Sequence, residues 1–317
     1  MGSILAYNDA PILLHLIIAI LFAFVCFAAR FLLDRFIFRR LATWLLRNGA
    51  TNLRMNEATR AKVVKLSESM WKFTYYATVE FCVLRAIYDE PWFLDTRQYF
   101  RGWPNHELPL AIALVYMCQC GFYIYSIAAL LVWETRRKDF AVMMSHHIIT
   151  VILISYSYIT RFFRIGSVIL ALHDASDVFM EAAKVFKYSE KEFGASLFFG
   201  LFAISWLVLR LIIFPFWVIR SSSYYLIEVL KLPEPSHMLL YYVFNTMLLS
   251  LLVFHIYWWI LICSMIRRQL KNRGQVGEDI RSGKLKFVKD QTKLFIISSF
   301  VKIHQSLLCH LGTLNLL

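Results

Sequence analysis

Long apolar stretches separated by short polar connections run through the chain. Seven of them approach the roughly 20 mostly apolar residues that a helix needs to cross a bilayer. The second is the weakest, because Lys72, Glu80 and Arg85 interrupt it. The expected helices lie at 11–33, 70–88, 108–133, 141–159, 163–186, 194–219 and 237–266. The pattern predicts an all-α polytopic membrane protein with about seven transmembrane helices.

The basic residues gather on alternate connections between these stretches. Of the 34 Lys and Arg, 25 lie in the segments 30–69, 134–140 and 184–193 or after Ile266, and six lie in the opposite set of connections. Cytoplasmic connections carry an excess of Lys and Arg. With an even number of spans, the basic connections would no longer all fall on one side of the membrane. The charge pattern therefore supports seven spans, with the N-terminus outside and the C-terminus in the cytosol.

The composition excludes several other classes of protein. Apolar residues make up 59% of the 317 positions and charged residues 17%, which is too apolar for a disordered chain and unusual for a soluble domain. The topology explains the net charge of +13, and no stretch interleaves basic with aromatic residues as a nucleic-acid surface would. The six cysteines form no CxxC pair, so a zinc ribbon or a disulfide framework is not expected.

Ionisable residues inside the apolar stretches are the main functional candidates, because a charge in hydrocarbon costs at least about 2.5–3.5 kcal/mol. The fifth stretch holds His173, Asp174, Asp177 and Glu181. Their spacings of three and four residues place an acidic stripe with a histidine at its end on one helix face. Lys184 follows near the cytosolic end, where its amine can extend to water.

A pair of histidines, His146 and His147, lies in the fourth stretch. Adjacent helical residues point about 100° apart, so one imidazole is expected to meet the fifth stretch and the other a different neighbour. The connection between the two stretches, 160–162, is short, which predicts adjacent antiparallel helices. The histidine pair, Asp174 and Asp177 should then meet in the cytosolic half of the membrane.

Two histidines and two aspartates allow several kinds of chemistry. They could ligate a zinc or iron ion, or relay protons in a transporter. They could also catalyse acyl transfer, with His as general base or nucleophile and Asp as the group that orients it. Buried structural pairs between helices are a further reading. Spacing alone does not separate these alternatives.

Other polar residues in the stretches carry weaker signals. Asn245 and His255 share a face of the seventh stretch and are expected to hydrogen-bond to neighbouring helices. Glu80 and Arg85 are expected to form an internal pair or interface charges. Arg210 is expected toward the lumenal part of the sixth stretch, with its side chain extended to the interface.

A long gapped pattern of polar and apolar residues is centred on 139–187. Its elements are Asp139–Phe140, His146–His147, Thr150, Ser157–Tyr158, Arg164, Gly166, His173–Asp174, Asp177, Glu181, Ala183–Lys184, Phe244–Asn245, His255, Tyr257–Trp258 and Arg267, with Lys72–Phe73 and Tyr75–Tyr76 upstream. The pattern resembles the Lag1 motif of ceramide synthases, within the TRAM-LAG1-CLN8 membrane domain. The resemblance covers roughly residues 10–280 and is strongest to plant members. The chain shows no homeobox-like segment, which many animal members have.

The resemblance implies that six of the spans form a catalytic bundle. The expected organisation is an anchor helix and basic linker at 1–69, the catalytic TRAM-LAG1-CLN8 domain at 70–275 and a cytosolic tail at 276–317. The implied activity is N-acylation of a sphingoid base, sphinganine or phytosphingosine, by a fatty acyl-CoA, which makes ceramide or dihydroceramide. The implied location is the endoplasmic reticulum membrane, which makes the outside N-terminus lumenal.

The same resemblance assigns roles to the candidate residues. His146 or His147 would activate the amine or carry the acyl group transiently. Asp174 and Asp177 would orient and charge-balance the imidazole, with His173 in the same network. The residues expected to meet the CoA phosphates are Arg136, Arg137, Lys138 and Lys184, and the expected supporting residues are Thr150, Asn245 and His255.

No metal or bound cofactor is implied, since acyl-CoA is a substrate. The expected partners are acyl-CoA, a sphingoid base, membrane lipids and a second chain in a homo- or heterodimer, with no nucleic acid.

The tail after Ser282 is basic and then apolar, unlike the acidic, serine-rich tail of many members. Two alternatives stay open: a non-catalytic member of the same domain family, in lipid sensing or protein translocation, and a seven-span receptor.

Overall fold

The computed structural model describes residues 9–47, 56–134, 137–230 and 234–271, and the predicted tail lies outside them. All regular structure in these ranges is helical. The α-helices are α1 (Asp9–Leu33), α2 (Arg39–Arg47), α3 (Glu57–Ile87), α4 (Leu110–Val132), α5 (Phe140–Ile159), α6 (Phe163–Tyr188), α7 (Glu192–Ser205), α8 (Arg220–Leu230) and α9 (Pro235–Lys271). The π-helical segments Asp34–Phe38 and Trp206–Ile219 join α1 to α2 and α7 to α8, and a 3₁₀ turn, Thr96–Tyr99, lies between α3 and α4.

Five helical rods in the described ranges are long and apolar enough to cross a membrane. They are Ile17–Arg47, Leu110–Val132, Phe140–Ile159, Glu192–Leu230 and Pro235–Lys271. Each of them overlaps one of the predicted stretches. The prediction of an all-helical, polytopic membrane protein is therefore confirmed, whereas the count of seven spans is not.

The other two predicted stretches form α3 and α6, which have 31 and 26 residues. At 1.5 Å per residue they are roughly 46 and 39 Å long, enough to cross a bilayer, but their charged residues exclude them from the apolar set. α6 is enclosed by other helices: it packs along α3 and α7 and also touches α4, α5 and the Trp206–Ile219 segment. These neighbours shield the ionisable side chains of α6 from lipid.

The N-terminal helix packs closely on α4. At Gly121, a Cβ atom would lie 2.6 Å from the carbonyl oxygen of Ala19, so this approach requires glycine. Further along, Arg30 donates a hydrogen bond to the carbonyl oxygen of Ser67 at 3.1 Å, and the Ser67 hydroxyl donates to the carboxylate of Asp34. The N-terminal rod is thus joined to both α3 and α4.

α5 and α6 separate soon after the turn that joins them. α5 packs mainly on α4, less on α9, and touches α6 over only a few residues. Tyr116 of α4 stands between the two helices: its hydroxyl donates to the carbonyl oxygen of Phe163 at 3.2 Å and accepts from Ser157 Oγ at 3.3 Å. Gly166 leaves room for this ring, since a Cβ there would collide with the Tyr116 hydroxyl. The predicted adjacency therefore holds near the turn, and cavities occupy the space beyond it.

The residues that connect α3 to α4, here called the 88–109 connection, cover the end of the bundle where α5 turns into α6. Arg164 donates to the carbonyl oxygen of Gln98 at 2.9 Å. Trp103 Nε1 donates to the carbonyl oxygen of Thr160 at 2.7 Å. These bonds tie the connection to both helices, so this end of the bundle is closed.

Candidate active site

A cavity of about 180 Å³, here called the central cavity, opens at the end of the bundle away from the 88–109 connection. It lies between α3, α4, α5, α6, α7, α9 and the Trp206–Ile219 segment. Its inner part is lined by His146, His147, Asp177, Arg210 and Trp258, and its mouth by Lys72, Glu134, Arg137, Lys184 and Lys187. The cavity therefore combines a mainly cationic mouth with two imidazoles further inside.

The hydrogen bond of His147 fixes its tautomer. Nδ1 lies 2.8 Å from the carbonyl oxygen of Met143, one turn earlier in α5. Because a carbonyl oxygen only accepts, Nδ1 must carry the proton, and Nε2 of the neutral ring keeps its lone pair. The ring also packs edge-on against Tyr123, with centroids 5.5 Å apart. His147 thus lines the cavity with a nitrogen that can take up a proton.

His146 lies at the junction of two cavities. A second cavity of about 20 Å³, here called the inner cavity, continues beyond it between α4, α5, α6 and α9. Its walls are mostly apolar and include Leu153, Ile154, Ile169 and Leu170. One imidazole therefore faces the central cavity with its charged mouth on one side and a small apolar cavity on the other.

Neighbouring rings hold the imidazole of His146 in place. Trp258 and Phe254 of α9 meet it edge-on, with centroids 5.2 and 5.9 Å away. Trp258 Nε1 in turn donates to Asp139 Oδ2 at 3.2 Å. The predicted supporting residue Thr150 donates from Oγ1 to the carbonyl oxygen of His146 at 2.8 Å. Among the described residues, His146 Nδ1 is buried without a hydrogen-bond partner, so a substrate group could pair with it.

Asp174 and Asp177 face different helices. Asp177 lines the central cavity and pairs with Arg210, whose Nη2 lies 2.9 Å from Oδ2. Asp174 is buried against α4, where its carboxylate accepts from Gln119 Nε2, and the Gln119 carbonyl accepts from Tyr75 at 3.3 Å. Within the described ranges, neither carboxylate hydrogen-bonds to the histidine pair. Both carboxylates have other partners, so the expected direct orientation of the imidazoles by aspartate is not seen.

Arg210 was expected at the membrane interface, and this expectation is wrong. Its residue is 2% exposed, and Nε and Nη2 donate to Ser176 Oγ and the carbonyl oxygen of His173, both at 2.7 Å. Its guanidinium carbon lies 4.1 Å from the Trp206 ring centroid. Its ion-pair partner and both hydrogen-bond acceptors lie on α6, so the side chain is held inside the bundle instead of extending to the interface.

His173 lies behind the central cavity and reaches α9. Its Nδ1 donates to the carbonyl oxygen of Ile169 at 2.6 Å, which leaves Nε2 as the acceptor. Nε2 lies 2.9 Å from Nε2 of His255, so His255 donates the proton of that bond. The ring of Phe214 packs edge-on against both imidazoles. The pair joins α6 to α9, as expected for His255, and His173 also lines the inner cavity.

The charges at the mouth form ion pairs, both within and between helices. Lys72 lies 3.1 Å from Glu68 and 2.8 Å from Glu134, which joins α3 to the end of α4. Lys184 pairs with Glu181 at 2.7 Å. The mouth is therefore a network in which carboxylates partly neutralise the cations.

The four predicted phosphate-binding residues are placed differently. Arg137 and Lys184 line the central cavity. Lys138 is exposed and is not part of its lining, and Arg136 lies outside the described residues. Lys72 and Lys187 were not assigned to this role from the sequence, yet both line the mouth.

The remaining polar candidates form contacts away from the cavities. Asn245 accepts from Ser222 Oγ at 2.7 Å and so joins α9 to α8, which is the helix-to-helix contact that was expected. Arg85 pairs with Asp89 at 3.0 Å rather than with Glu80, and one carboxylate oxygen of Glu80 is buried with no partner among the described residues. No three His, Cys, Asp or Glu side chains in the described ranges converge as metal ligands would.

Three further residues of the central cavity, Arg210, Tyr123 and Trp258, were not predicted as site residues. Arg210 carried a usable signal, since a lone charge in a long apolar stretch marks a functional position. Trp258 is an element of the family pattern, but Tyr123 carried no signal of its own, because aromatic residues are common throughout the spans. Their place beside the imidazoles depends on which helices pack together.

The chain is similar to known proteins over most of its length. The family profile described as the TLC domain (TRAM_LAG1_CLN8) matches residues 65–264, which include the histidine pair, Asp177 and Arg210. The chain is 66% identical to "Ceramide synthase LOH2" of Arabidopsis thaliana, over 84% of this chain and 91% of that protein. It is 62% identical to "ASC1-like protein 3" of Oryza sativa subsp. japonica, over 84% and 93%.

A third relative, "Ceramide synthase 1 LOH3" of Arabidopsis thaliana, is 46% identical over 87% of this chain and 92% of that protein. These alignments run nearly the full length of the relatives, so they include the helices that line both cavities. The matched TLC domain occupies more than half of the chain. By domain and by relatives, the chain belongs to the ceramide synthase family.

Proposed function

We propose that this chain is an acyl-CoA-dependent ceramide synthase, which transfers a fatty acyl group to the amine of a sphingoid base such as sphinganine or phytosphingosine. The observation that carries the proposal is the position of His146 between the central and inner cavities. An acyl-CoA has a matching division, with anionic phosphates at one end, an apolar chain at the other, and the reactive thioester between them.

The two cavities suggest how such a donor would lie. The phosphates would meet cations at the mouth, where Arg137, Lys184 and Lys187 line the central cavity. The acyl chain would extend into the inner cavity, and the thioester would lie beside the histidine pair. The inner cavity holds only about 20 Å³, so α5, α6 and α9 would move apart as the chain enters.

The chemistry needs one proton removed from the amine and one delivered to the leaving thiolate. His147 suits this task, since Nε2 keeps its lone pair while Nδ1 is held by Met143. The imidazole would take the proton as the amine nitrogen bonds to the carbonyl carbon. It would return that proton to the CoA sulfur as the C–S bond breaks. In the alternative course, an imidazole of the same pair carries the acyl group transiently.

The other predicted catalytic residues would act less directly. Asp177 lines the same cavity, so its charge can stabilise an imidazolium without a hydrogen bond to it. Asp174 and His173 lie behind the wall of the central cavity, bonded to Gln119 and His255. They would hold α6 in the position that the site requires.

The topology that fits this activity has seven spans in the endoplasmic reticulum membrane, with α3 and α6 included. The positive-inside rule then places the N-terminus in the lumen and the C-terminus in the cytosol. The mouth of the central cavity would face the cytosol, where a water-soluble acyl-CoA can reach it. The long sphingoid base would reach the same cavity from the membrane.

The test is an assay in microsomes with labelled sphinganine and a panel of acyl-CoAs. Loss of a general base or nucleophile costs roughly 10²–10⁴-fold in rate, so His146→Ala and His147→Ala should lose most of the ceramide formation. His237→Ala is the matched control, because His237 lies at the start of α9 beside Glu234, 3.4 Å away. Full activity in both cavity variants, or no product with any acyl-CoA, would overturn the proposal.

A further inference from the structure

A large groove lies at the closed end of the bundle, away from the central cavity. It has a volume of about 760 Å³ and lies between the 88–109 connection, the end of the Trp206–Ile219 segment and α8. Three arginines line it: Arg97 and Arg101 from the connection, and Arg220 from the first turn of α8. This feature, here called the arginine groove, has no part in the proposed acyl transfer.

Hydrogen bonds hold the two walls of the groove together. Ser221 Oγ of α8 donates to the carbonyl oxygen of Thr96 at 3.1 Å. Arg97 Nε donates to the hydroxyl of Tyr225 at 3.4 Å, and the guanidinium carbon lies 6.0 Å from the centre of the Tyr225 ring. The groove is therefore a preformed space between two fixed segments.

The charges in the groove are mostly positive. Among the described residues, no carboxylate oxygen lies within 4.0 Å of the three guanidinium groups. Asp95 is engaged elsewhere: it accepts from the backbone N–H of Arg97 and from the side chain of Gln98, both at 3.0 Å. Glu228 is the acidic residue of the lining. Three exposed cations and one anion thus face the same space, which suits an anionic ligand.

The sequence beside the groove is typical of the depth of lipid headgroups. The end of the Trp206–Ile219 segment is apolar, and Arg220 and three serines follow it directly. Such a change marks the point where a helix leaves the hydrocarbon. Phe216 and Trp217, beside the groove, are 71% and 46% exposed, and exposed aromatic residues are typical of this depth.

We propose that the arginine groove binds the phosphate of a membrane phospholipid, in the leaflet opposite to the mouth of the central cavity. The three arginines donate to the phosphate oxygens, for which the guanidinium group is well shaped. The acyl chains of the lipid lie along Phe216 and Trp217. Glu228 repels part of the negative charge, so its removal strengthens the binding of an anionic lipid. The bound lipid braces the 88–109 connection against α8.

The test measures the binding of dioleoylphosphatidylglycerol to the purified full-length chain in detergent by native mass spectrometry. The variant Arg97→Gln/Arg101→Gln/Arg220→Gln should lose roughly tenfold or more of the lipid-bound fraction, since it removes the charge-assisted bonds. Glu228→Gln should raise that fraction. Arg85→Gln is the matched control, because Arg85 is exposed near the end of α3 and does not line the groove.

Competition with inorganic phosphate, added at millimolar concentration, shows whether the groove prefers a lipid or a free anion. The proposal expects the lipid to stay bound, because the aromatic residues contact its chains, and displacement by phosphate would overturn it. Unchanged lipid binding in a folded triple variant would also overturn it. If the triple variant fails to fold, Glu228→Gln decides, since a gain in binding supports the proposal and no gain contradicts it.

Discussion

Arg210 offers the sharpest test of how the buried charges hold the bundle together. Its guanidinium pairs with Asp177 at 2.9 Å and donates to Ser176 Oγ and the carbonyl oxygen of His173, both at 2.7 Å. The variant Arg210→Gln removes the positive charge while keeping a polar side chain. It leaves the carboxylate of Asp177 buried without its partner.

The size of the effect follows from this burial. The side chains of Arg210 and Asp177 are only 3% and 14% exposed. Breaking a buried ion pair by removing one partner costs about 3–5 kcal/mol. For a domain of this size, each kcal/mol lowers the unfolding midpoint by about 2–4 °C, so a fall on the order of 10 °C is expected. Arg210→Lys keeps the charge but cannot reach all three acceptors, and should fall between Arg210→Gln and the parent chain.

The assay is thermal unfolding of the purified chain in detergent, followed by tryptophan fluorescence. Arg210→Gln/Asp177→Asn should be less destabilised than the sum of the two single changes, because neither charge is left alone. Arg85→Gln is the matched control: its pair with Asp89 is 70% and 75% exposed, and such pairs contribute about 0–1 kcal/mol. A midpoint for Arg210→Gln equal to that of Arg85→Gln would refute the reasoning.

Other regions of the molecule give further expected outcomes. Gly121→Val should cost about 1–3 kcal/mol in thermal unfolding, because its Cβ would lie 2.6 Å from backbone of α1, whereas Gly200→Val, with nothing within 4 Å, should not. Burial lowers the pKa of His106, so this imidazole takes up a proton more readily in the unfolded chain than in the folded one. Stability should therefore fall as the pH drops below about 6.5, and His106→Gln should lose this component of the pH dependence of the midpoint. Arg137→Gln should raise KM for acyl-CoA with little change in kcat in a steady-state assay, and Arg60→Gln, exposed on α3, should leave KM unchanged. An unchanged KM for Arg137→Gln would contradict a contact with CoA.

The sequence predicted the helices well because each of them is long and its composition is distinctive. Five of the seven apolar stretches overlap the rods found, and the ionisable residues His146, His147 and Asp177, singled out because they lie in apolar stretches, line one cavity. These signals are local. They depend on length and composition, both of which can be read without knowing which helices are neighbours.

The partners of the buried groups could not be predicted in the same way. A short turn predicted that α5 and α6 pack together along their length. The ring of Tyr116 stands between them, and it fits there only because Gly166 has no side chain. Arg210 was misplaced because its partners lie on α6, and composition does not show which helices are neighbours. Both departures concern long-range packing, which has no periodic signal in the sequence.

Three ionisable residues in one part of α6 each contact a different helix or segment. His173 bonds to α9 through His255, Asp174 to α4 through Gln119, and Asp177 to the Trp206–Ile219 segment through Arg210.

Because these contacts fix the position of α6, a substitution at any of the three moves a wall of the central cavity as well as removing a functional group. Loss of activity at these positions therefore cannot by itself identify a chemical role. His147 is different, since its ring bonds to the backbone of its own helix, which leaves the lone pair of Nε2 for proton transfer. A variant of His147 should lose ceramide formation while its unfolding midpoint stays close to that of the parent chain, and that separation of activity from stability is what distinguishes a catalytic imidazole from a structural one.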